Sequence, residues 1–243
     1  MNKKSLSLIV AMATAVTYPA MAQNPLTTDD NEQVRVRLIH ALPNAPGASI
    51  SIGATELFSN IESKKVTSYK QVPKQEDQKV TIKLADGRQL TTTDEFDLDD
   101  DDEAYSVVVT PDQSGPNPKV VILEGDDDTP GSDDADEADL NVINVSPQHN
   151  SITVLLDDKE LMDGVDYSRS DDEDVKAGSY QLKVMSDDAE IGSQQVTLQG
   201  ANSYTLLVFG QNDVQLINDQ SPDQPVTGAT AGQTTTGTRQ MAT

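Results

Sequence analysis

Residues 37–61 read RLIHALPNAPGASISIGATELFSNI, and they lie over residues 141–165, NVINVSPQHNSITVLLDDKELMDGV, without a gap. The two segments share a hydrophobic pattern in which Ile39 meets Ile143, and a proline follows four residues after each isoleucine. Further matches, at a slightly smaller offset, pair 80–84 (VTIKL) with 180–184 (YQLKV) and 105–109 (YSVVV) with 204–208 (YTLLV). A period near 100 residues indicates two whole domains, because solenoid repeats are only about 20–50 residues long.

Within each repeat the hydrophobic period is two. Apolar and polar residues alternate in SISIG, VTIKLAD, SITVLL and SYQLKVMS, which is typical of strands with one buried face. The segments YSVVVT and YTLLVFG are continuous apolar runs, which suit central strands covered on both faces. Turn residues interrupt these strands at short intervals, so the sequence predicts an all-β chain of two tandem antiparallel β-sandwich (Ig-like) domains, with about seven strands in each.

The composition changes along the chain and predicts its division into segments. A charged stretch broken by glycine and proline, GDDDTPGSDDADEAD, separates the repeats, and the C-terminal residues are too polar to form a packed core. We expect a signal peptide at 1–22, an N-terminal linker at 23–33, a first β-sandwich at 34–124, an acidic linker at 125–139, a second β-sandwich at 140–219 and a disordered Thr/Gly-rich tail at 220–243.

The N-terminus has the three parts of a secretory signal. Lys3 and Lys4 provide positive charge, residues 6–16 are apolar, and Ala20-Met21-Ala22 has the small-residue pattern of a cleavage site. A retained membrane anchor would need about 20 apolar residues, which this run does not reach. The sequence therefore predicts cleavage after Ala22 and a periplasmic or secreted protein with no membrane insertion after cleavage.

The net charge of −24 narrows the range of partners. A chain this acidic repels nucleic acid, since nucleic-acid binding depends on Lys and Arg to neutralise phosphate. Thirty of the 41 acids are Asp, a residue that favours turns and helix caps over helix interiors. The chain has no cysteine, so no disulfide stabilises the exported protein.

His40 is one of only two histidines in the chain. It stands at the predicted end of the first strand, before a bend that contains Pro43 and Pro46. In the second repeat Asn144 takes its place, so the two repeats do not share a histidine-based chemistry. We expect a hydrogen-bonded or solvent-facing structural role for His40, with a ligand or catalytic base as the alternative.

The first repeat carries the pattern R-x-x-H-A-x-P-x-A-P at residues 37–46, followed by an alternating strand, ELFSNI and a Tyr-bearing strand. In the second repeat, VKAGSYQLKV (175–184) and NSYTLLVFG (202–210) carry the closing strands. With these motifs the chain resembles the domain-of-unknown-function 4397 family of bacterial exported proteins, in two tandem copies. The resemblance implies a secreted or periplasmic β-sandwich module and brings no assigned activity. The second repeat departs from the opening motif, with Asn141 in place of Arg37 and Asn144 in place of His40.

The sequence contains little that supports catalysis. There is no thiol and no Gly-x-Ser-x-Gly elbow, so a serine nucleophile would have to use His40 or His149 as its base. Two histidines more than a hundred residues apart, without cysteine, offer no zinc-ligand spacing. No phosphate-binding Gly-x-x-x-x-Gly-Lys loop occurs. We therefore predict no catalytic residue and no cofactor, and a hydrolase remains an alternative.

Acidic runs are the densest chemical feature of the sequence. In DEFDLDDDDE three carboxylates alternate, at Asp97, Asp99 and Asp101, and alternating carboxylates are typical of turn-shaped calcium sites. The EF-hand template fails, because its sixth position holds Asp102 instead of Gly and its twelfth holds Val108 instead of Glu. A solvated loop that protects a sheet edge is the preferred interpretation, and a weak calcium site at these three aspartates is the alternative.

Glycan binding would need exposed aromatic rings. The chain has no Trp, and we expect Tyr105, Tyr180 and Tyr204 to be core or corner residues because they fall on strands. Tyr69 and Tyr167 precede loops and are the candidates for exposure. The sequence thus predicts an exported, non-catalytic structural or ligand-binding module of the bacterial envelope or secreted fraction, with an unknown protein or glycan partner. The alternative is a calcium-stabilised surface, matrix or adhesion protein.

Overall fold

A computed structural model describes residues 33–92, 96–98, 103–115, 117–126, 135–220 and 222. The predicted signal peptide, most of the N-terminal linker, the middle of the acidic linker and nearly all of the C-terminal tail lie outside these residues. The described residues contain strands, turns and loops but no helix, and therefore no helix long and apolar enough to cross a membrane. The predicted all-β fold class is confirmed.

The first half of the described chain contains eleven strands, several of them short. They are β1 (Gln33–His40), β2 (Ala48–Ile52), β3 (Thr55–Ile61), β4 (Lys65–Val66), β5 (Lys70–Pro73), β6 (Gln75–Gln78), β7 (Val80–Leu84), β8 (Gln89–Thr91), β9 (Phe96–Leu98), β10 (Glu103–Pro111) and β11 (Pro118–Asp126). The end of β11 reaches two residues into the segment that the composition assigns to the acidic linker.

The second half contains eight longer strands. They are β12 (Glu137–Asn144), β13 (Ser151–Leu156), β14 (Lys159–Asp166), β15 (Arg169–Lys176), β16 (Gly178–Ser186), β17 (Ala189–Leu198), β18 (Ser203–Gly210) and β19 (Asp213–Asn218). β12 begins three residues before the predicted start of the second sandwich.

Each half forms two facing sheets. In the second half the orders are β15-β12-β18-β19 and β14-β13-β16-β17. In the first half they are β11-β10-β1-β4, with β5 also paired to β1, and β3-β2-β7-β8; the strands β6 and β9 form a separate small pair. The pairing is antiparallel except that β1 pairs with β10, and β12 with β18, in parallel. Each of these parallel partners is reached after the chain has passed through the opposite sheet, a crossover that a two-residue hairpin does not allow.

The strand register shows where the two repeats differ in length. Ile39 pairs with Val66 in the first repeat, as Ile143 pairs with Ser170 in the second, which keeps the offset of 104. Beyond this point the first repeat has one extra residue, and its edge strand is split into β4 and β5 around residues 67–69. The corresponding strand β15 is continuous. The first one-residue step in the drift of offset therefore coincides with a local interruption of an edge strand.

Each sandwich has its own hydrophobic core, built from the inward-facing residues of its two sheets. The alternation predicted from the sequence is visible in β2 and β13, where every second residue is buried. The continuous apolar strands β10 and β18 are buried on both faces, as their sequences predict. The side chains from Ala104 to Thr110 are all buried, and so are those from Ser203 to Phe209.

A third apolar cluster lies between the two sandwiches. It combines residues of β1, β4, β10 and β11 with residues of β12, β18 and β19. The sheet that contains β1 thus packs on its own sandwich with one face and on the second sandwich with the other. The result is a stack of four sheets in one compact unit, and the doubly buried strands lie in its two central sheets.

Candidate functional site

Arg37 lies at the centre of the contact between the two sandwiches. Its side chain is buried, with a relative exposure of only 1 %. The guanidinium donates from Nε to Ser106 Oγ at 2.8 Å, from Nη2 to Thr205 Oγ1 at 3.0 Å and from Nη1 to Asp219 Oδ1 at 2.9 Å. Thr205 and Asp219 belong to the second half and lie 168 and 182 residues after Arg37, so this one side chain joins the inner sheets of both halves.

The acceptors of Arg37 are themselves held in place. The Thr205 hydroxyl lies 2.7 Å from Asp219 Oδ2 and 2.9 Å from its Oδ1, so Asp219 receives the hydroxyl hydrogen as well as the arginine N–H. Charged hydrogen bonds of this kind are stronger than neutral ones. Burial alone would lower the pKa of Arg37, but the Asp219 carboxylate and its hydrogen bond outweigh this effect and raise the pKa. Arg37 is therefore a permanent buried cation with a matched anion.

Tyr69 covers this ion pair from the edge of the sheet. It lies between β4 and β5, in the interruption that only the first repeat contains. Its ring centroid is 4.6 Å from Cζ of Arg37 and 5.1 Å from Cζ of Arg35. Cation–π contact of this kind stabilises a desolvated guanidinium. Burial raises the pKa of Tyr69, so its hydroxyl stays protonated at neutral pH.

A small cavity of about 60 Å³ opens beside the ion pair. Residues of both sandwiches line it, among them Arg35, Arg37, Tyr69, Asp139, Asn141 and Asp219. This volume holds a few water molecules, and the mixture of donors and acceptors suits water. The Asn141 Oδ1 atom is buried and has no hydrogen-bond partner among the described residues, so it is an acceptor that water in this cavity would satisfy.

Both histidines bond to a neighbouring loop, His40 from the last position of β1 and His149 from the turn after β12. His40 is fully buried, and its Nε2 lies 3.0 Å from the Pro46 carbonyl oxygen. His149 is also buried, with Nε2 at 3.1 Å from the carbonyl oxygen of Gln211. Burial lowers the pKa of His40, although the bond to Pro46 opposes the shift. Of the two structural roles considered for His40, it has the hydrogen-bonded one.

Asn144 shows why the two repeats can exchange histidine for asparagine. Its Nδ2 donates to the carbonyl oxygens of His149 at 3.0 Å and Val165 at 3.2 Å, and its Oδ1 accepts from the N–H of Ser146 at 3.1 Å. Like His40, it fastens the loop that follows the first strand of its repeat. Both buried side chains are thus hydrogen-bonded to backbone groups, as buried polar side chains usually are.

Only one of the three calcium candidates falls within the described residues. Asp97 is exposed on β9, and its Oδ1 accepts a hydrogen bond from the backbone N–H of Asp77 at 2.7 Å. Asp99 and Asp101 lie outside the described residues. Within the part of the chain that the structure describes, no group of three or more His, Asp or Glu side chains is arranged to hold a metal ion.

Two of the tyrosines expected in the cores are buried there, but the two candidates for exposure are not exposed. Tyr105 and Tyr204 are buried in the cores, and the Tyr204 hydroxyl accepts a hydrogen bond from the backbone N–H of Gln199 at 3.0 Å. Tyr69 and Tyr167 are half-buried, and each has a cation over its ring; for Tyr167 it is Lys119, at 4.6 Å from the centroid. A ring face that a sugar would stack on is thus already used within the chain.

The interface between the sandwiches is not apparent from the sequence. Along the chain, Arg37 and Asn141 are only a difference between the repeats, and Tyr69 is a candidate for exposure. One signal was available: two of the chain's five arginines, Arg35 and Arg37, alternate on a strand that is otherwise apolar. An arginine in such a strand requires a buried carboxylate, but nothing in the sequence indicates that Asp219 supplies it.

The comparison with family models agrees with the internal duplication. The model of the domain of unknown function DUF4397 matches residues 34–136 and again residues 138–233. The chain therefore belongs to this family and carries two tandem copies of its domain. No curated protein matches the chain.

Proposed function

We propose that this DUF4397 protein is an exported, non-catalytic module of the bacterial envelope or the secreted fraction, with a structural or ligand-binding role. The contact between the sandwiches is the observation that carries the proposal. An apolar cluster and the Arg37–Asp219 ion pair hold two sandwiches in one compact unit. A body of this kind keeps the spacing between its outer sheets constant, which suits a spacer or a presenting scaffold.

The environment of the histidines supports a role without catalysis. A general base must be able to reach the proton that it removes. The Nε2 atoms of His40 and His149 both bond to backbone carbonyls, and both side chains are buried. The hydrolase alternative has no specific observation in its favour.

The acidic surface supports a role in a hydrated environment. Strand β15 lies at an edge of its sheet, and four consecutive acids, 171–174, are exposed along it. Charged side chains on an edge strand prevent it from pairing with strands of other molecules. The protein can therefore be abundant outside the cytoplasm without aggregating through this edge.

Export is tested by expressing the full chain with its own N-terminus in a bacterium and separating the cell fractions. The proposal expects a mature chain that begins at Gln23, found in the periplasm or the medium. The matched control is Ala22→Leu, which removes the small residue at the cleavage site and should leave the longer chain attached to the membrane fraction. A wild-type chain of full length in the cytoplasm would contradict the proposal.

The absence of catalysis is tested with a panel of ester, peptide and glycoside substrates. The proposal expects no turnover above that of a buffer blank. His40→Asn introduces the residue found in the other repeat and therefore should fold, and His149→Asn removes the second imidazole. Turnover by the wild type that either variant abolishes would favour the hydrolase alternative.

A further inference from the structure

The two sandwiches contact one another through corresponding surfaces. In the apolar cluster between them, four positions of the first repeat are matched by the equivalent positions of the second: Ile39 by Ile143, Ala41 by Val145, Val108 by Leu207 and Leu123 by Ile217. Each partner uses the same patch, which is the property of an interface with two-fold symmetry. The contact thus has the form of a homodimer interface inside one chain.

The edges of the interface follow the same rule. In the first repeat, Lys64 lies in the turn before β4 and forms an ion pair with Asp213, in the β18–β19 hairpin of the second repeat. In the second repeat, Tyr167 lies in the equivalent turn before β15, and its hydroxyl donates to the carbonyl oxygen of Pro111, in the β10–β11 hairpin. Each turn therefore contacts the hairpin of the other sandwich, which is the reciprocity that two-fold symmetry requires.

The symmetry is broken at the buried ion pair. The strand registers place Asn141 at the position of Arg37, and Gly125 at the position of Asp219. Asn141 approaches Gly125 as Arg37 approaches Asp219: a Cβ atom added to Gly125 would lie 3.7 Å from Asn141 Nδ2. One of the two equivalent points thus holds a cation with its anion. The other holds a small neutral pair, beside the cavity.

This asymmetry selects which sandwiches can face one another. If two first sandwiches paired, each Arg37 would be buried opposite Gly125 and would lack its carboxylate. If two second sandwiches paired, each Asp219 would be buried opposite Asn141 and would lack its cation. A buried charge without a partner is strongly unfavourable, and such penalties are a common source of binding specificity. Only a first sandwich facing a second sandwich satisfies both charges.

We propose that this surface is a heterotypic association surface: the first sandwich recognises the second sandwich, either of its own chain or of another copy of the chain. Within one chain the connecting segment gives the partner a high effective concentration, which favours the closed monomer. Where the internal contact is weakened, two copies can exchange partners reciprocally and form a dimer in which each first sandwich binds the second sandwich of the other chain.

The test uses two full-length variants, Arg37→Asp and Asp219→Arg. Alone, each variant buries two like charges at the internal contact. Mixed and refolded together from urea, they can form a dimer with one native Arg37–Asp219 contact and one reversed contact. The proposal expects each variant alone to melt at a lower temperature than the wild type. It expects the mixture to form a 1:1 dimer of twice the mass, with a higher melting temperature than either variant.

Two further pairs complete the experiment. Arg37→Gln and Asp219→Asn replace the ions with neutral amides, of equal shape at Asp219 and shorter at Arg37, and they serve the same test if the reversed charges prevent folding. The control pair is Lys183→Asp and Asp158→Lys, which reverses an exposed ion pair inside the second sandwich and should give monomers alone and mixed. A mixture of the interface variants that stays monomeric overturns the proposal, as does a dimer formed by one variant alone.

Discussion

Replacing Asp219 by Asn should destabilise the protein far more than the loss of a surface charge would. The substitution keeps the shape of the side chain but leaves the Arg37 cation buried without its anion. Breaking a buried ion pair by removing one partner costs about 3–5 kcal/mol. Arg37 keeps its hydrogen bonds to Ser106 and Thr205 and its contact with Tyr69, so we expect about 3 kcal/mol, at the low end of this range.

The melting temperature converts this free energy into a measurable shift. For a folded body of 150–250 residues, about 1 kcal/mol corresponds to about 2–4 °C, so Asp219→Asn should lower the midpoint by about 6–12 °C. Differential scanning calorimetry measures the midpoint, and urea unfolding gives the free energy independently. The exposed Asp158, which pairs with Lys183, provides the matched control: Asp158→Asn should change stability by less than about 1 kcal/mol.

A double variant separates the cost of an unpaired charge from the value of the ion pair. Arg37→Met with Asp219→Leu removes both charges and fills the space with apolar atoms. Since replacing a whole buried ion pair with apolar side chains is often neutral or stabilising, the double variant should be more stable than Asp219→Asn. The ion pair would not carry this stability if Asp219→Asn lowered the midpoint by no more than Asp158→Asn does, or if the double variant were the least stable of the three.

Three other predictions concern the histidine loop, a close backbone contact and calcium. Because burial lowers the pKa of His40, the unfolded chain takes up a proton more readily than the folded chain. The free energy of unfolding should therefore have its full value above about pH 6.5 and should fall as the pH drops below it. Thermal melts between pH 7.5 and 5 should show this loss in the wild type and a smaller one in His40→Asn; equal losses would exclude His40 as the cause. Gly200→Ala should cost about 1–3 kcal/mol, because its Cβ would lie 1.9 Å from the Ala135 carbonyl oxygen. At Gly115 an added Cβ would meet only Asp112 Oδ2, at an ordinary contact distance of 3.9 Å, so Gly115→Ala should be neutral in urea unfolding. Finally, melting in millimolar calcium should match melting in EDTA at equal ionic strength, and a saturable rise of the midpoint would favour the calcium-stabilised alternative.

Several parts of the fold could be predicted because they depend on local patterns. Apolar residues with a period of two specify strands, and the turn residues between them specify where the strands end. The continuous apolar runs of β10 and β18 indicated strands covered on both faces, and the structure confirms it. The division into more and shorter strands in the first repeat was not predicted, because edge-strand interruptions such as residues 67–69 do not alter the apolar pattern.

The candidate site was harder to predict because its residues are distant in the chain. The exchange of Arg37 for Asn141 looked like the loss of a motif when the repeats were compared along the sequence. In the folded protein Arg37 faces Asp219, and at the equivalent point Asn141 faces Gly125. The exchange of the cation is therefore accompanied by the exchange of its anion. Likewise, His40 and Asn144 differ in chemistry, although each is hydrogen-bonded to the loop that follows the first strand of its own repeat.

The β-class, the duplication and the family can be read along the chain, because strand periodicity and repeated spacing are local properties of the sequence. What covers the outer faces of the two central sheets, and which carboxylate neutralises Arg37, depends on how the folded halves pack together. Those outcomes depend on two sheet surfaces that meet across more than 160 residues of chain. A pattern along one strand shows that a face must be buried, but the identity of the surface that buries it is set by packing in three dimensions.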